Sequence, residues 1–325
     1  MSRQRVRTIV DSALGGYSRL TWKERPVKMF ANLKPGAPAA MRALQSVLPW
    51  VTRGEYGMEV VVESQLYDEL KDRDMDMHNV RTECDDTLRD VDLLLCLGGD
   101  GTVLHALSKF PGYAPPVLSF AYGTVGFLPP FTSSSIAHVM AQVLRDGGLL
   151  YPRTRVACSV LRAGATEPEL SITCVNETLL MQVAPFQASP HPFSCTIDGK
   201  PFESGAGEGV IVATPTGSTA YALSAGAPLV APMLDALMVV PVLPEVDTVS
   251  AVVPACAQVE IEVGPGSRLQ LDCDGRLATE VTEGDRVLVS ASPWPLELVC
   301  AGDPTSTWIA DLTQVLNWNL PHVGR

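Results

Sequence analysis

Apolar positions follow two different rhythms along this chain, and the change between them falls near residue 150. In the first half, short apolar runs alternate with stretches of helical spacing. Lys28–Leu33 and Met58–Glu63 read as strands; between them Met41, Leu44, Val47 and Leu48 share one face of a helix over Ala39–Leu48. Asp92–Leu97 is almost continuously apolar, the pattern of a strand buried on both faces. Val103, Ala106, Leu107 and Phe110 then recur at i, i+3, i+4 and i+7, which is one helix face. Pro116–Ala121 predicts another strand. Ile136, Val139, Met140, Val143 and Leu144 predict another helix, with Ser133–Ser135 as cap residues and Gly147 as its stop. Strand and helix in turn imply a parallel sheet with both faces covered.

Beyond residue 150 the period shortens to two. Val156, Cys158 and Val160 alternate with small or polar residues, as do the runs at Ser171–Val175, Ser194–Ile197, Leu269–Cys273 and Arg286–Val289. The pairs Asp198-Gly199 and Asp274-Gly275 stand where hairpin turns belong. This half reads as all-β until Trp308, Ile309, Leu312, Val315 and Leu316, which form a helix stripe expected to return to the first domain.

Composition narrows the classes. Of 325 residues, 46% are apolar and 18% charged, a globular balance with enough chain for two cores. Runs such as Val91–Leu97 are too short to span a bilayer, and no secretory leader opens the chain, so no membrane partner is expected. Met1–Val10 carries three Arg and no acid, read either as a terminal tail or as a transit-sequence remnant. With 36 acids against 24 bases the net charge is −12, which argues against nucleic acid as a partner. The eight cysteines form no CxxC pair and mostly occupy apolar strands, pointing to a reducing compartment, cytoplasmic or mitochondrial. Five histidines show no metal-ligand spacing, so no protein metal site is expected.

Two segments carry candidate chemistry. Gly98-Gly99-Asp100-Gly101-Thr102 joins the most apolar strand to a helix. Its glycines let backbone N–H groups approach a polyphosphate at the helix N-terminus. Asp100 there can accept a proton from a hydroxyl or help hold Mg2+; it can equally cap the helix in a simple turn. Thr214-Pro215-Thr216-Gly217-Ser218-Thr219-Ala220-Tyr221 gathers four hydroxyls and a phenol around a glycine, either to bond a ligand or to build a Ser/Thr-rich turn. Asn176-Glu177, at a strand end, suits an adenine edge and ribose hydroxyls, or is merely a polar strand end. No Walker motif occurs. Gly205-Ala206-Gly207-Glu208-Gly209 precedes a strand rather than a helix, so it is no dinucleotide fingerprint.

In order and spacing these segments, with Gly123-Thr124-Val125-Gly126-Phe127-Leu128 and the lead-in Ser18-Arg19-Leu20-Thr21-Trp22, resemble the NAD kinase family over nearly the whole chain. The resemblance implies a Rossmann-like, phosphofructokinase-like α/β domain over 1–150, a β-rich NAD-binding domain over 151–302 and a returning helix over 303–325. It further implies an active site in the crevice between the domains. By matching motifs, Asp100 would be the base for the adenosine 2′-hydroxyl, beside Gly98, Gly99, Gly101 and Thr102. Phe127 would pack near the dinucleotide, and Asn176 and Glu177 would contact its base and ribose. Thr219, Ala220, Tyr221 and Ser224 would complete that pocket, and Asp274 would lie towards the phosphate donor. ATP, Mg2+, NAD(H) and a homo-oligomeric state, dimer or tetramer, are implied with them.

This chain departs from the family at two places. Glu208 stands where Asp is usual, which would alter the nicotinamide ribose side. Pro244–Pro254 lacks the usual His and Phe-Arg-Pro segment. A same-fold kinase acting on another hydroxyl, and a non-catalytic dinucleotide-binding homologue, are the rival readings.

Overall fold

The structure, a computed structural model, describes residues 6–10, 18–123, 126–183, 192–203, 207–244, 249–300 and 304–316. Thr124, Val125, Gly205 and Ala206 lie outside them, as does part of the Pro244–Pro254 departure. The chain divides into two units. One holds residues up to Phe110, Ala114–Pro152 and those from Leu296 onward; the other holds Pro111–Tyr113 and Arg153–Pro295.

The first unit is built on one sheet whose middle is parallel. In order across it run Val80–Thr82, Glu59–Val62, Lys28–Leu33, Leu93–Gly98, Val117–Ala121 and Leu296–Cys300, each parallel to its neighbour. Every residue of Leu93–Gly98 is buried, as its unbroken apolar run requires of a central strand. The helix over Ala39–Leu48 extends to Pro38–Thr52 and turns Ala40, Met41, Leu44, Val47, Leu48 and Val51 into the core. From Lys28–Leu33 the chain moves outward to Glu59–Val62 and Val80–Thr82. It then returns to the other side of its starting strand as Leu93–Gly98. The order of strands therefore reverses between Lys28–Leu33 and Leu93–Gly98, and open parallel sheets bind ligands beyond the carboxyl ends of such strands.

The second unit carries two antiparallel six-stranded sheets, and their facing side chains form one core around Val156, Val160, Leu180, Val212 and Leu271. Both Asp-Gly pairs are hairpin turns with positive φ at each residue: 50° and 71° at Asp198-Gly199, 48° and 71° at Asp274-Gly275.

One boundary differs from the sequence reading. Leu296–Cys300 was expected within the β-rich half, ending at 302, yet it completes the parallel sheet of the first unit, with Leu296, Leu298 and Val299 buried. Five residues of apolar strand look alike in either kind of sheet, so the sequence pattern could not assign it. The helix Pro304–Val315 falls in the same unit.

Gly147 closes the helix Ile136–Asp146 at φ +74°, its N–H bonded to the Val143 carbonyl at 2.9 Å. A Cβ there would meet the Leu20 carbonyl oxygen well inside 3.0 Å. Gly147→Ala should lower the unfolding free energy by about 2 kcal/mol or more, read from the denaturant midpoint at unchanged m-value.

Candidate active site

In the first unit the glycine-rich loop leaves the sheet at the strand reversal. Three contacts fix it. Lys34 N–H donates to the Leu97 carbonyl at 2.9 Å, and buried Asn32 donates through Nδ2 to the Thr102 carbonyl at 3.0 Å. Gly98 is packed so tightly on the Thr102 side chain that a Cβ would collide with Oγ1. Thr102 is accordingly buried under its own loop. Gly99 and Gly101 instead face open space, with nothing within 4 Å of where a Cβ would stand. Two of the expected glycines thus leave room for a ligand, and the third serves packing.

Asp100 is the first residue of the helix Asp100–Ser108 and is half-buried. Its Oδ1 accepts the Leu128 N–H at 2.9 Å and its Oδ2 the Phe127 N–H at 3.1 Å, so the carboxylate ties the second glycine-rich loop to the first. Gly126 is required by this closeness, since a Cβ there would strike Oδ1. Each oxygen keeps a second lone pair, so the clamp leaves proton-accepting capacity. Phe127 is brought to Asp100 through its backbone.

Two basic or charged groups here escape the motif-based reading. Lys34 follows Lys28–Leu33 at the reversal, with Nζ 3.6 Å from where a Gly123 Cβ would be. Position just past a strand end was the only signal for it. Glu63, His105, Lys109 and Glu83 form a network beside the same helix. In it His105 Nε2 lies 2.6 Å from Glu63 Oε1, and Lys109 bridges Glu63 and Glu83 at 3.0 Å. Burial pushes Glu63 up, but Lys109 and His105 outweigh it and hold the carboxyl below its usual range.

In the second unit, three segments distant in sequence converge at one end of a sheet. Strand Glu177–Gln182 lies between Gly207–Ala213 and Arg268–Cys273, with Glu177 opposite Ala213 and Thr178 opposite Cys273. Asn176-Glu177, the loop beginning at Thr214 and the Asp274 turn therefore meet. Asp274 Oδ2 accepts the Val175 N–H at 2.9 Å, and Oδ1 accepts those of Asn176 at 2.7 Å and Glu177 at 3.3 Å. Burial raises the Asp274 pKa, while these three amides pull it down. Gly217 lies against Asn176 so closely that a Cβ would collide with its carbonyl oxygen.

Glu177, Tyr221 and Gly275, with Leu179 and Asp272, line a pocket of about 290 Å³. Glu177 is 7% exposed, and its Oε2 is sealed with no hydrogen-bond partner among the described residues. Burial, with Asp274 adding to it, pushes the Glu177 carboxyl up to about 8.

The hydroxyl-rich run proves to be mostly self-supporting. Thr214 donates to the Val175 carbonyl at 2.6 Å and accepts from Gly217 N–H. Ser218 is bonded to Pro215 and Val230 backbone, and Thr219 donates to the Thr216 carbonyl at 3.1 Å. The hydroxyls of Thr214, Ser218 and Thr219 thus hold the turn. Ala220 is half-buried, whereas Tyr221 and Ser224 are exposed.

Glu208 stands apart from this group. Alternation puts it on the face shared by Val210 and Val212, which is opposite to that of Glu177. Arg153 and Arg155 are both buried. Arg153 donates to Thr216 Oγ1 at 3.4 Å and Arg155 to the Gly112 carbonyl at 2.9 Å.

Residues 31–148 match the family model of the ATP-NAD kinase N-terminal domain, and residues 175–301 match that of the ATP-NAD kinase C-terminal domain. The chain belongs to the NAD kinase family. It is 30% identical over 313 residues to a probable NAD kinase 1 of Oryza sativa, covering 93% of this chain and 58% of that protein. With the mitochondrial NADH kinase of Schizosaccharomyces pombe it shares 32% over 246 residues, 74% of this chain and 62% of the relative. It spans less than two thirds of either. A yeast NADH kinase crystallised with NADH superposes with a TM-score of 0.86 at 26% identity, covering 98% of this chain and 96% of that one. The NAD kinase of Archaeoglobus fulgidus in complex with ATP shares the fold, with a TM-score of 0.65 at 21% identity over 89% of this chain and 99% of its own. Asp100 falls within the first matched span and Asp274 within the second. Among the described residues no helix is long and apolar enough to cross a membrane.

If Asp100 clamps the second loop, Asp100→Asn removes one of its two acceptors. The amides of Phe127 and Leu128 should then exchange with deuterium about ten-fold faster or more, while those of Leu94–Leu97 keep their protection.

Proposed function

We propose that this chain is an ATP-dependent kinase that phosphorylates the 2′-hydroxyl of the adenosine ribose of NAD(H), giving NADP(H). The observation that carries the reading is the loop at the strand reversal. Gly99 and Gly101 open to space there, the helix N-terminus favours a polyphosphate, and a carboxylate is fixed at the same point. Phosphoryl transfer asks chiefly for positioning and charge neutralisation, and Lys34 with the loop amides suits both. Asp100 takes the 2′-hydroxyl proton as the oxygen bonds to the γ-phosphorus and ADP leaves with its bridging oxygen.

The pocket at Glu177 and Tyr221 receives part of the dinucleotide in this reading, with Asn176, Thr219, Ala220 and Ser224 around it. Asp274 acts there by shaping the Val175–Glu177 loop. Mg2+ accompanying ATP would supply charge neutralisation, and Asp100 is the residue that would help hold it. The described residues hold no group of three His, Cys, Asp or Glu side chains set for a metal. Free thiols at all eight cysteines suit a cytoplasmic or other reducing compartment. A homo-oligomer, dimer or tetramer, is supported by the edge strand Ala251–Pro254, on which Val252 is 49% exposed, with Val249 just before it 74% exposed.

Incubation of the full chain with ATP, Mg2+ and NAD or NADH should yield NADP(H). Asp100→Asn should lower kcat by about 10²- to 10⁴-fold while dinucleotide affinity stays within a few-fold. Wild-type kcat in that variant removes the general-base role. ADP release with some other alcohol and none with NAD(H) transfers the reading to a same-fold kinase, as the displaced Glu208 carboxylate would favour.

A further inference from the structure

Glu177 presents a physical problem that the clamp around it does not solve. Its side chain is nine-tenths buried, and one carboxyl oxygen is sealed with no partner among the described residues. An ionised carboxylate in such a place needs donors, and the three nearby amides are all taken by Asp274. The groups facing it cannot help. Asp274 is itself a carboxyl group, and Asp272, which accepts from Gln270 Nε2 at 2.8 Å, is another. Tyr221 is the remaining titratable group lining the pocket among the described residues, and Arg155, on which the Asp274 charge acts, has its own pKa drawn down by burial to about 10.

Resting on the reading of this pocket as part of a dinucleotide site, we propose that Glu177 works as a neutral carboxylic acid, donating its O–H to an uncharged acceptor on the bound nucleotide. A ring nitrogen, an amide carbonyl or a sugar oxygen are such acceptors. The proton converts a side chain that would repel electron-rich atoms into a specificity element for them. A neutral group also exerts no net attraction on a cationic ring, so this contact by itself favours neither NAD nor NADH. The carboxyl titrates at about 8, near enough to neutrality for the proton to be lost in mildly alkaline solution.

The test measures Kd for NAD and for NADH by calorimetry from pH 6 to 9.5, on the full-length wild type and on Glu177→Gln, whose amide donates at every pH. Wild-type affinity should be constant to about pH 8 and then weaken towards tenfold per pH unit, while the variant stays level. A wild-type profile flat to pH 9.5, or a fall shared equally by the variant, overturns the inference. Should the variant not fold, the wild-type profile alone still decides it.

A ligand-free arm separates this inference from the kinase reading. The unfolded chain releases the Glu177 proton in the ordinary carboxyl range, but the folded chain holds it to about 8. Stability therefore falls as pH rises between those values, and the Tm advantage of Glu177→Gln should grow from pH 5 to pH 8. A constant difference overturns the inference even if NAD(H) binds. Failure of both proteins to bind NAD(H), with the growing Tm difference present, overturns the donor role together with the dinucleotide reading and leaves the buried proton standing.

Discussion

A carboxylate removed from water must be met by donors, and Asp274 meets three on consecutive residues. That constraint organises one end of a sheet in the second unit. The Asp-Gly turn sets the carboxylate at the end of a hairpin, and the hairpin strand pairs with Glu177–Gln182, so the loop before that strand is pinned by its own backbone. Asp100 repeats the device in the first unit, with the Phe127 and Leu128 amides as its donors. In each unit a charge-assisted contact fixes backbone that has no regular ladder to hold it, at roughly 1.5–3 kcal/mol for each such bond. Glycines permit the closeness: Gly126 beside Asp100 and Gly217 beside Asn176 leave no space for a methyl group.

Much of this was legible in the residues. The unbroken apolar run before Gly98 could only be a central strand, and the period-two runs after residue 150 could only be sheets wet on one side. The Asp-Gly pairs dictated turns because both residues must take positive φ. What could not be read was partnership. The run Thr214–Tyr221 shows its hydroxyls in sequence, yet only the fold reveals that Thr214, Ser218 and Thr219 hold backbone carbonyls. Arg153 and Arg155 look like any surface pair until the fold buries them. Glu177 and Glu208 are equally acidic on paper, but strand parity sends them to opposite faces.

Charge tells a similar story. A chain of net −12 has no general attraction for a polyanionic substrate. In the proposed kinase, backbone N–H groups at Gly99 and Gly101, with Lys34 at the strand reversal, would make the favourable field local. The acids are managed individually: Asp100 and Asp274 by amides, Glu63 by Lys109 and His105, and Glu177 by keeping its proton.

The path of the chain carries one more consequence. It passes from one unit to the other at 110/111, back at 113/114, over again at 152/153 and back at 295/296. The parallel sheet begun by Lys28–Leu33 receives Leu296–Cys300 only after the whole β-rich unit has been synthesised. On the ribosome, then, the parallel sheet waits with the start of Val117–Ala121 unpaired on one flank until Leu296–Cys300 has emerged, and neither unit exists as a contiguous piece that a simple truncation would release.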